Sequence, residues 1–326
     1  MKGTDTKIAL IAGNAPSLAS IDYQRLPSQA SYDVFRCNQF YFEEEYYLGK
    51  EIKYVFATPP VLFEQNYTYK TLHYKQEYNI QNIVASTFNL SHMDSLYYTH
   101  KEIFSDIING SCVLENIQEF FTFIRYSEIY HNRRITSGVY MCAFAVALGY
   151  TELYLAGIDL YSNKGGYAFN ILKPNLTALL PWFSLKPADF HTAQTDIQAL
   201  EFLAKTYNVK IYSICPSSPL SQHIPLAKPN LESNAKVLKK PKAQDCIKDL
   251  LLPQGNAYEK FHYPNHPLDF NNYASHLRNN NFYKFCRDVI KFPKQLAWYM
   301  KGKIVSHRQK RAKIASTNNT MGGGGK

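Results

Sequence analysis

The sequence has little of what holds small secreted domains together. Six cysteines are scattered through 326 residues, and none forms a C-x-x-C pair. Cys37, Cys112, Cys142, Cys215, Cys246 and Cys286 are therefore expected as reduced thiols, which argues against a disulfide or zinc framework. There is no D-x-D, no H-E-x-x-H and no Cys/His cluster with ligand spacing, and the ten histidines are dispersed. No bound metal and no cofactor are predicted. No apolar run reaches the roughly 18 residues that a membrane-spanning helix needs. The opening MKGTDTKIALIAGN lacks a signal-peptide pattern, so a cytoplasmic location is expected. The first strand-to-turn junction lacks G-x-G-x-x-G, which removes the dinucleotide fingerprint.

Acids are also scarce, 26 against 36 Lys and Arg, but the deficit is local. Residues 278–313 hold eleven Lys and Arg and one acid, Asp288, so this stretch alone carries +10. With Lys326 adding one more, the rest of the chain sums to about −1. The basic character belongs to the tail, and the tail's partner is a separate question from the body's chemistry.

What is present alternates. Apolar, β-branched runs at Lys7–Gly13, Asp33–Phe40, Lys53–Ala57, Gln81–Thr87, Leu153–Asp159 and Val209–Cys215 predict strands. Helices are predicted over Glu115–Tyr130, Gly138–Leu148 and Ala193–Tyr207, with Gly149 as a C-terminal cap. Such alternation predicts an α/β fold, a Rossmann-like, doubly wound, mostly parallel sheet. Residues 163–190 carry a Gly-Gly pair and three prolines with no long period, and a loop of that length predicts a lid insertion. The Rossmann-like domain is expected over 1–259. Residues 260–326 read as a basic, amphipathic helical region, which Pro293 should split, with a disordered MGGGGK end. One more short helix is expected over Val237–Leu252.

The organising stretch is Arg133–Phe169. Thr136, Ser137 and Gly138 stand where a helix begins, and free N–H groups there favour an anion. The strand after that helix ends in Asp159 and leads to Tyr161 and Tyr167. Asn14, Ser17, Asn38, Arg134, Ser137 and the two tyrosines should meet at the carboxyl ends of successive strands, where hydroxyls, amides and helix N–H groups can hold a phosphate. Taken singly, each is equally a turn residue or a cap. His191 lies just past the predicted lid and just before a helix; it is a candidate base or simply a cap.

GNAPSL (Gly13–Leu18), IDYQRLP (Ile21–Pro27), DVFRCNQFYFEEEYYLGK (Asp33–Lys50), NRRITSGVYMCA (Asn132–Ala143) and GIDLY (Gly157–Tyr161) together resemble the bacterial lipooligosaccharide sialyltransferases of glycosyltransferase family 42, the Cst-type enzymes. The likeness runs from about Lys7 to Pro216. It implies a Rossmann-like sheet with a lid and metal-independent, inverting transfer of sialic acid from CMP-sialic acid to galactose or to a terminal sialic acid. It also implies a homotetramer and a tail on the inner-membrane surface. His191 in FHTAQTD corresponds to the family's general base, with Thr192 in place of Ser. Tyr161 and Tyr167 match the pair that hydrogen-bonds the departing phosphate, and Arg134 and Asn38 match polar residues near the donor. Asn14, Ser17, Thr136, Ser137, Gly138, Gly157, Asp159, Leu160 and Gly166 fall at donor-lining positions. Three positions depart from the pattern: Ala15 replaces a usual Gly, Leu160 a usual Phe, and Thr58 stands where some members carry an acceptor-facing Asn. Thr58 favours α-2,3 transfer onto galactose over a bifunctional α-2,3/α-2,8 activity.

Two readings from other classes stay open on the sequence. A non-catalytic nucleotide-sugar-binding module would keep the anion cradle without needing His191. The tail could bind nucleic acid or be merely solvated, although Trp298 and Tyr299 among cations suit an anionic membrane surface better.

Overall fold

The computed structural model describes residues 6–27, 31–58, 62–86, 105–161, 166–169, 190–230, 238–240 and 282–304, apart from 284, 298 and 302. The chain divides into two units, Met1–Tyr258 and Glu259–Lys326.

In the first unit the apolar runs form strands as their β-branched content dictates. They are β1 (Ile8–Ala12), β2 (Asp33–Cys37), β4 (Glu51–Ala57), β5 (Asn79–Ala85), β7 (Glu152–Ala156) and β8 (Lys210–Ser213). The two-residue β6 (Ile108–Asn109) completes a seven-stranded sheet of order β6-β5-β4-β2-β1-β7-β8. Every pairing in it is parallel. A separate antiparallel pair joins β3 (Glu45–Tyr46) to β9 (Leu238–Lys239). The expected helix over Val237–Leu252 therefore begins as strand, because those residues pair with β3; its remaining residues lie outside the described part.

Side chains alternate between the two faces of the sheet. Ala9, Ile11, Phe35, Phe56, Val84 and Leu155 share one buried cluster with α2 (Gly110–Leu114), α3 (Gln118–His131), α4 (Ser137–Ala147) and α5 (Ala193–Thr206). Leu10, Ala12, Val34 and Ala156 point the other way, toward Leu18, Ile214 and Cys215. Val55 and Ile83 on that side pack on α1 (Leu62–Tyr74). Both faces are covered, as an all-parallel sheet requires.

The helix α4 is buried almost throughout, in keeping with its lack of a polar stripe. It ends in a Schellman cap. Gly149 lies at φ 80, its N–H donates to the Val146 carbonyl, and the Tyr150 N–H donates to the Ala145 carbonyl. The helix α1 had no sequence signal, because its inner face is polar: Gln65, Asn66 and Thr68 are buried beside Leu62, Tyr69 and Leu72.

In the second unit the described residues between 282 and 304 are helical, and the run 285–297 continues across residue 293. The predicted break at Pro293 does not occur. A proline's φ is itself helical, and only one helix hydrogen bond is lost with its N–H. Among the described residues no helix is long and apolar enough to cross a membrane. The lid stretch 163–190 lies outside the described residues except at 166–169 and 190.

Candidate active site

The strand order reverses at β1: the chain runs out through β2, β4, β5 and β6, then returns to β7 and β8 on β1's other side. Such a switch point opens a crevice at the strands' carboxyl ends. Two glycines let the β1 and β7 turns come together there. A Cβ on Gly13 would sit 2.3 Å from the Gly157 carbonyl oxygen, and Gly157 itself lies at φ 60. The Ala15 N–H donates to the Gly157 carbonyl at 3.0 Å. The Asp159 carboxylate ties the turns further, accepting from the Ser17 N–H at 3.0 Å and from the Ser218 hydroxyl at 2.8 Å. Both its oxygens are thus engaged by the protein. Asn14 donates through Nδ2 to the Cys37 carbonyl at 3.0 Å, while its Oδ1, sealed from bulk solvent, accepts no hydrogen bond.

The start of α4 forms the next wall. Thr136 is its N-cap, yet its side chain does not cap the helix. The Thr136 N–H and hydroxyl both donate to Asp196 on α5, at 2.9 and 2.7 Å. That arrangement leaves the first-turn N–H groups of α4, which have no intrahelical acceptor, facing the crevice. Gly138 lets the Ile158 side chain pack onto the helix start, since a Cβ there would meet that side chain at 2.8 Å and make it shift. Asn38, at φ 50 just past β2, points Nδ2 toward the Ser137 hydroxyl at 3.5 Å.

The third wall is aromatic. Leu160 and Tyr161 both adopt left-handed backbone, at φ 52 and 54. This is costly for residues with a Cβ, and such strain concentrates at functional sites. The turn presents the Tyr161 ring, 45% exposed, against the His191 ring with centroids 5.7 Å apart and an interplanar angle of 19°. Tyr167 stacks on Phe169 at 5.1 Å. Burial pushes the Tyr167 phenol up to about 12. Desolvation, followed by the charges of Asp196 and Tyr167, holds the Tyr161 phenol above its ordinary value. Both hydroxyls keep their protons at neutral pH.

His191 is fixed from behind. Its Nδ1 lies 2.9 Å from the Arg134 carbonyl oxygen. A carbonyl only accepts, so Nδ1 carries the proton and Nε2 is left with its lone pair. Burial lowers the imidazole's pKa below the ordinary 6.5, so the ring is neutral at pH 7. The Arg134 N–H donates to the Phe190 carbonyl, and its guanidinium lies 4.4 Å from the centre of the Phe190 ring.

These walls enclose a cleft of about 640 Å³. Asn14, Ser17, Asn38, Thr136, Ser137, Gly138, Gly157, Asp159, Leu160, Tyr161, Gly166 and Tyr167 line it. His191 and Arg134 join through Tyr161 and the 134–191 hydrogen bond. Thr58 follows β4 and does not line the cleft. Asp196 does line it and was not singled out from the sequence. It closes the FHTAQTD string, so its nearness to His191 was the available signal.

The sequence profile of the family described as CST-I: Alpha-2,3-sialyltransferase (CST-I) matches residues 7–303. The chain is 34% identical over 233 residues to a Haemophilus influenzae Rd protein described only as uncharacterized; the match spans 70% of this chain and 96% of that one. Among solved structures it resembles the monofunctional alpha-2,3-sialyltransferase Cst-I from Campylobacter jejuni, with 43% identity, 82% of this chain and 96% of that one covered, and a TM-score of 0.73. It resembles the sialyltransferase CstII from Campylobacter jejuni in complex with cytidine-5'-monophosphate, at 46% identity, 79% and 98% coverage and TM-score 0.68. A CST-II structure in complex with trisaccharide acceptor and CMP matches at 47% identity, with 78% and 98% covered and a TM-score of 0.66.

Proposed function

The chain belongs to the CST-I alpha-2,3-sialyltransferase family of glycosyltransferases, and on that premise we propose that this cleft transfers sialic acid from CMP-sialic acid to a terminal galactose of a lipooligosaccharide, with inversion and without a metal ion. Sialic acid carries a carboxylate on its reacting carbon. The α4 N-terminus and the Ser137 hydroxyl hold that anion. As the glycosidic bond breaks, charge builds on the departing CMP phosphate. The protonated Tyr161 and Tyr167 hydroxyls donate to it, stabilising the leaving group where another enzyme would place a divalent cation. The acceptor hydroxyl attacks from the opposite face and passes its proton to Nε2 of His191. The choice of galactose over sialic acid rests on the family match and on Thr58, where some members carry Asn, and not on the cleft lining, which Thr58 does not join.

One observation carries this reading: a neutral imidazole with its tautomer fixed by the Arg134 carbonyl, stacked on a tyrosine at the rim of an anion-binding cleft. Incubation with CMP-sialic acid and a panel of galactosides in the presence of EDTA tests it. Transfer to galactose should survive the chelator. His191→Ala, and separately the pair Tyr161→Phe with Tyr167→Phe, should lower turnover by at least about a hundredfold, the scale of lost acid–base and charge stabilisation, while CMP still binds. Turnover within a few-fold of wild type in either variant removes those roles.

The family resemblance carries two further proposals. The assembly is a homotetramer, to be checked by light scattering, and the second unit lies on an anionic membrane surface, argued in the Discussion.

A further inference from the structure

Among the described residues Asp196 is the one fully buried acid lining the cleft, and the transfer chemistry leaves it without a task. It is fully buried, yet it lines the same wall as Ser137 and Gly138. Among the described residues its side chain accepts hydrogen bonds from Thr136 alone, whose backbone N–H donates to Oδ1 and whose hydroxyl donates to Oδ2. No Lys, Arg or His pairs with it among the described residues. The groups around it are few and uncharged near neutrality. Cys142 faces it from α4 and Tyr161 from the β7 loop, and both feel its charge. Thr192 and Thr195, on its own helix, hydrogen-bond each other. His191, just before that helix, is neutral, and the Arg134 guanidinium is turned onto Phe190.

The N-terminus of α4 can therefore serve two anions, the Asp196 carboxylate and whatever enters the cleft. Resting on the donor-binding reading above, we propose that Asp196 is a positioning residue that sets donor affinity: as a neutral acid it holds Thr136 and leaves the helix terminus to the incoming anion, and as a carboxylate it competes with that anion. Binding of an anionic nucleotide then takes up a proton at Asp196. Burial, opposed only by the two Thr136 hydrogen bonds, raises its pKa to about 7, so the exchange falls in the physiological range. The sign follows. Above this range the wild-type site must take up a proton to bind, so affinity falls as pH rises; below it Asp196 is already neutral and affinity levels off.

Calorimetric titration of the full chain with CMP between pH 5.5 and 8.5 tests this, with neutral cytidine as a second probe. The CMP phosphate and His191 titrate alike in wild type and in Asp196→Asn, so the difference between the two proteins isolates Asp196. Between pH 6.5 and 8.5, wild-type affinity for CMP should fall about tenfold more than that of Asp196→Asn, the equivalent of one pK unit of coupling. Cytidine should show no such difference. If Asp196→Asn does not fold, net proton uptake by the wild-type protein, read in buffers of different ionisation heat, replaces it: near pH 7.5, uptake with CMP should exceed that with cytidine by more than free CMP's own titration supplies. Parallel pH profiles, or uptake no larger than the nucleotide's, overturn the inference while leaving the transferase reading intact. A chain that binds CMP at no pH overturns both.

Discussion

At the residue scale, His191 carries the clearest pH signature. Its pKa in the fold is lowered by burial, and this outweighs the Arg134 carbonyl, which favours the protonated ring. A base must be unprotonated, so turnover is lost as pH falls through that lowered value. The acid limb of the kcat/KM profile, which reports the free enzyme, should therefore lie below pH 6.5, the ordinary histidine value. A limb above 6.5 assigns the base to another group. The same shift acts on stability. The unfolded chain binds the proton more tightly than the folded one, so His191 opposes folding as pH drops below about 6.5. Asp196 has the opposite sign. Its folded pKa is raised to about 7, so its ionisation weakens the fold as pH climbs from about 4 toward 7. Two groups five residues apart thus pull stability in opposite directions over the same acidic range. The strings RITSGVY and FHTAQTD made Arg134, Thr136 and His191 visible in the sequence, while Asp196, at the end of the second string, was passed over. Their cross-bracing, Arg134 to His191 and Thr136 to Asp196, was not legible there, because it spans 57 and 60 positions.

At the element scale, six strands and three helices were legible because each is either a continuous apolar run, as in β1 and α4, or carries an apolar stripe, as in α5. The elements missed have physical excuses. β3, β6 and β9 are two residues long, too short for any period. The helix α1 buries amides where a stripe of leucines would have announced it. The junction of β1 and β7 was legible only as two glycines, and its geometry explains them. A methyl at Gly157 would sit 2.7 Å from the Gly13 carbonyl oxygen on a backbone at φ 60. Gly157→Ala should cost the left-handed penalty of about 1–2 kcal/mol plus the clash, and should also weaken CMP binding by opening the switch point. Gly49→Ala is the control. It has φ 77 and nothing within 4 Å of its Cβ position, so it should lower Tm by the backbone penalty alone and leave CMP affinity unchanged. Equal effects on CMP affinity in both variants would show that the close approach of the two turns does not shape the cleft.

At the scale of the whole molecule, charge and apolar surface are divided between the units. The body is near neutral, while the helix at 282–304 carries the cations. Phe282, Phe285, Val289, Phe292, Leu296 and Tyr299 recur at alternating three- and four-residue steps, so they share one face, and all six are exposed or at the exposed end of the range, from 46% to 75%. Arg287, Lys291, Lys294 and Lys301 fall on the other side. An apolar stripe flanked by Lys and Arg, on a helix not apolar enough to cross a bilayer, fits the plane of an anionic lipid surface. Nucleic acid would draw on the cations alone and leave the stripe unpaid for. The two contributions separate by experiment in the full-length chain. Lys291, Lys294 and Lys301 changed together to Gln should lower partitioning onto phosphatidylserine-containing vesicles roughly a hundredfold at low salt, at about 1 kcal/mol per cation, and should flatten its salt dependence. Phe285→Ser with Phe292→Ser should lower partitioning at every salt concentration, because screening leaves hydrophobic burial untouched. If the serine pair instead changes the chain's association state and leaves vesicle binding as it was, the stripe pairs with protein rather than lipid, and the membrane assignment falls.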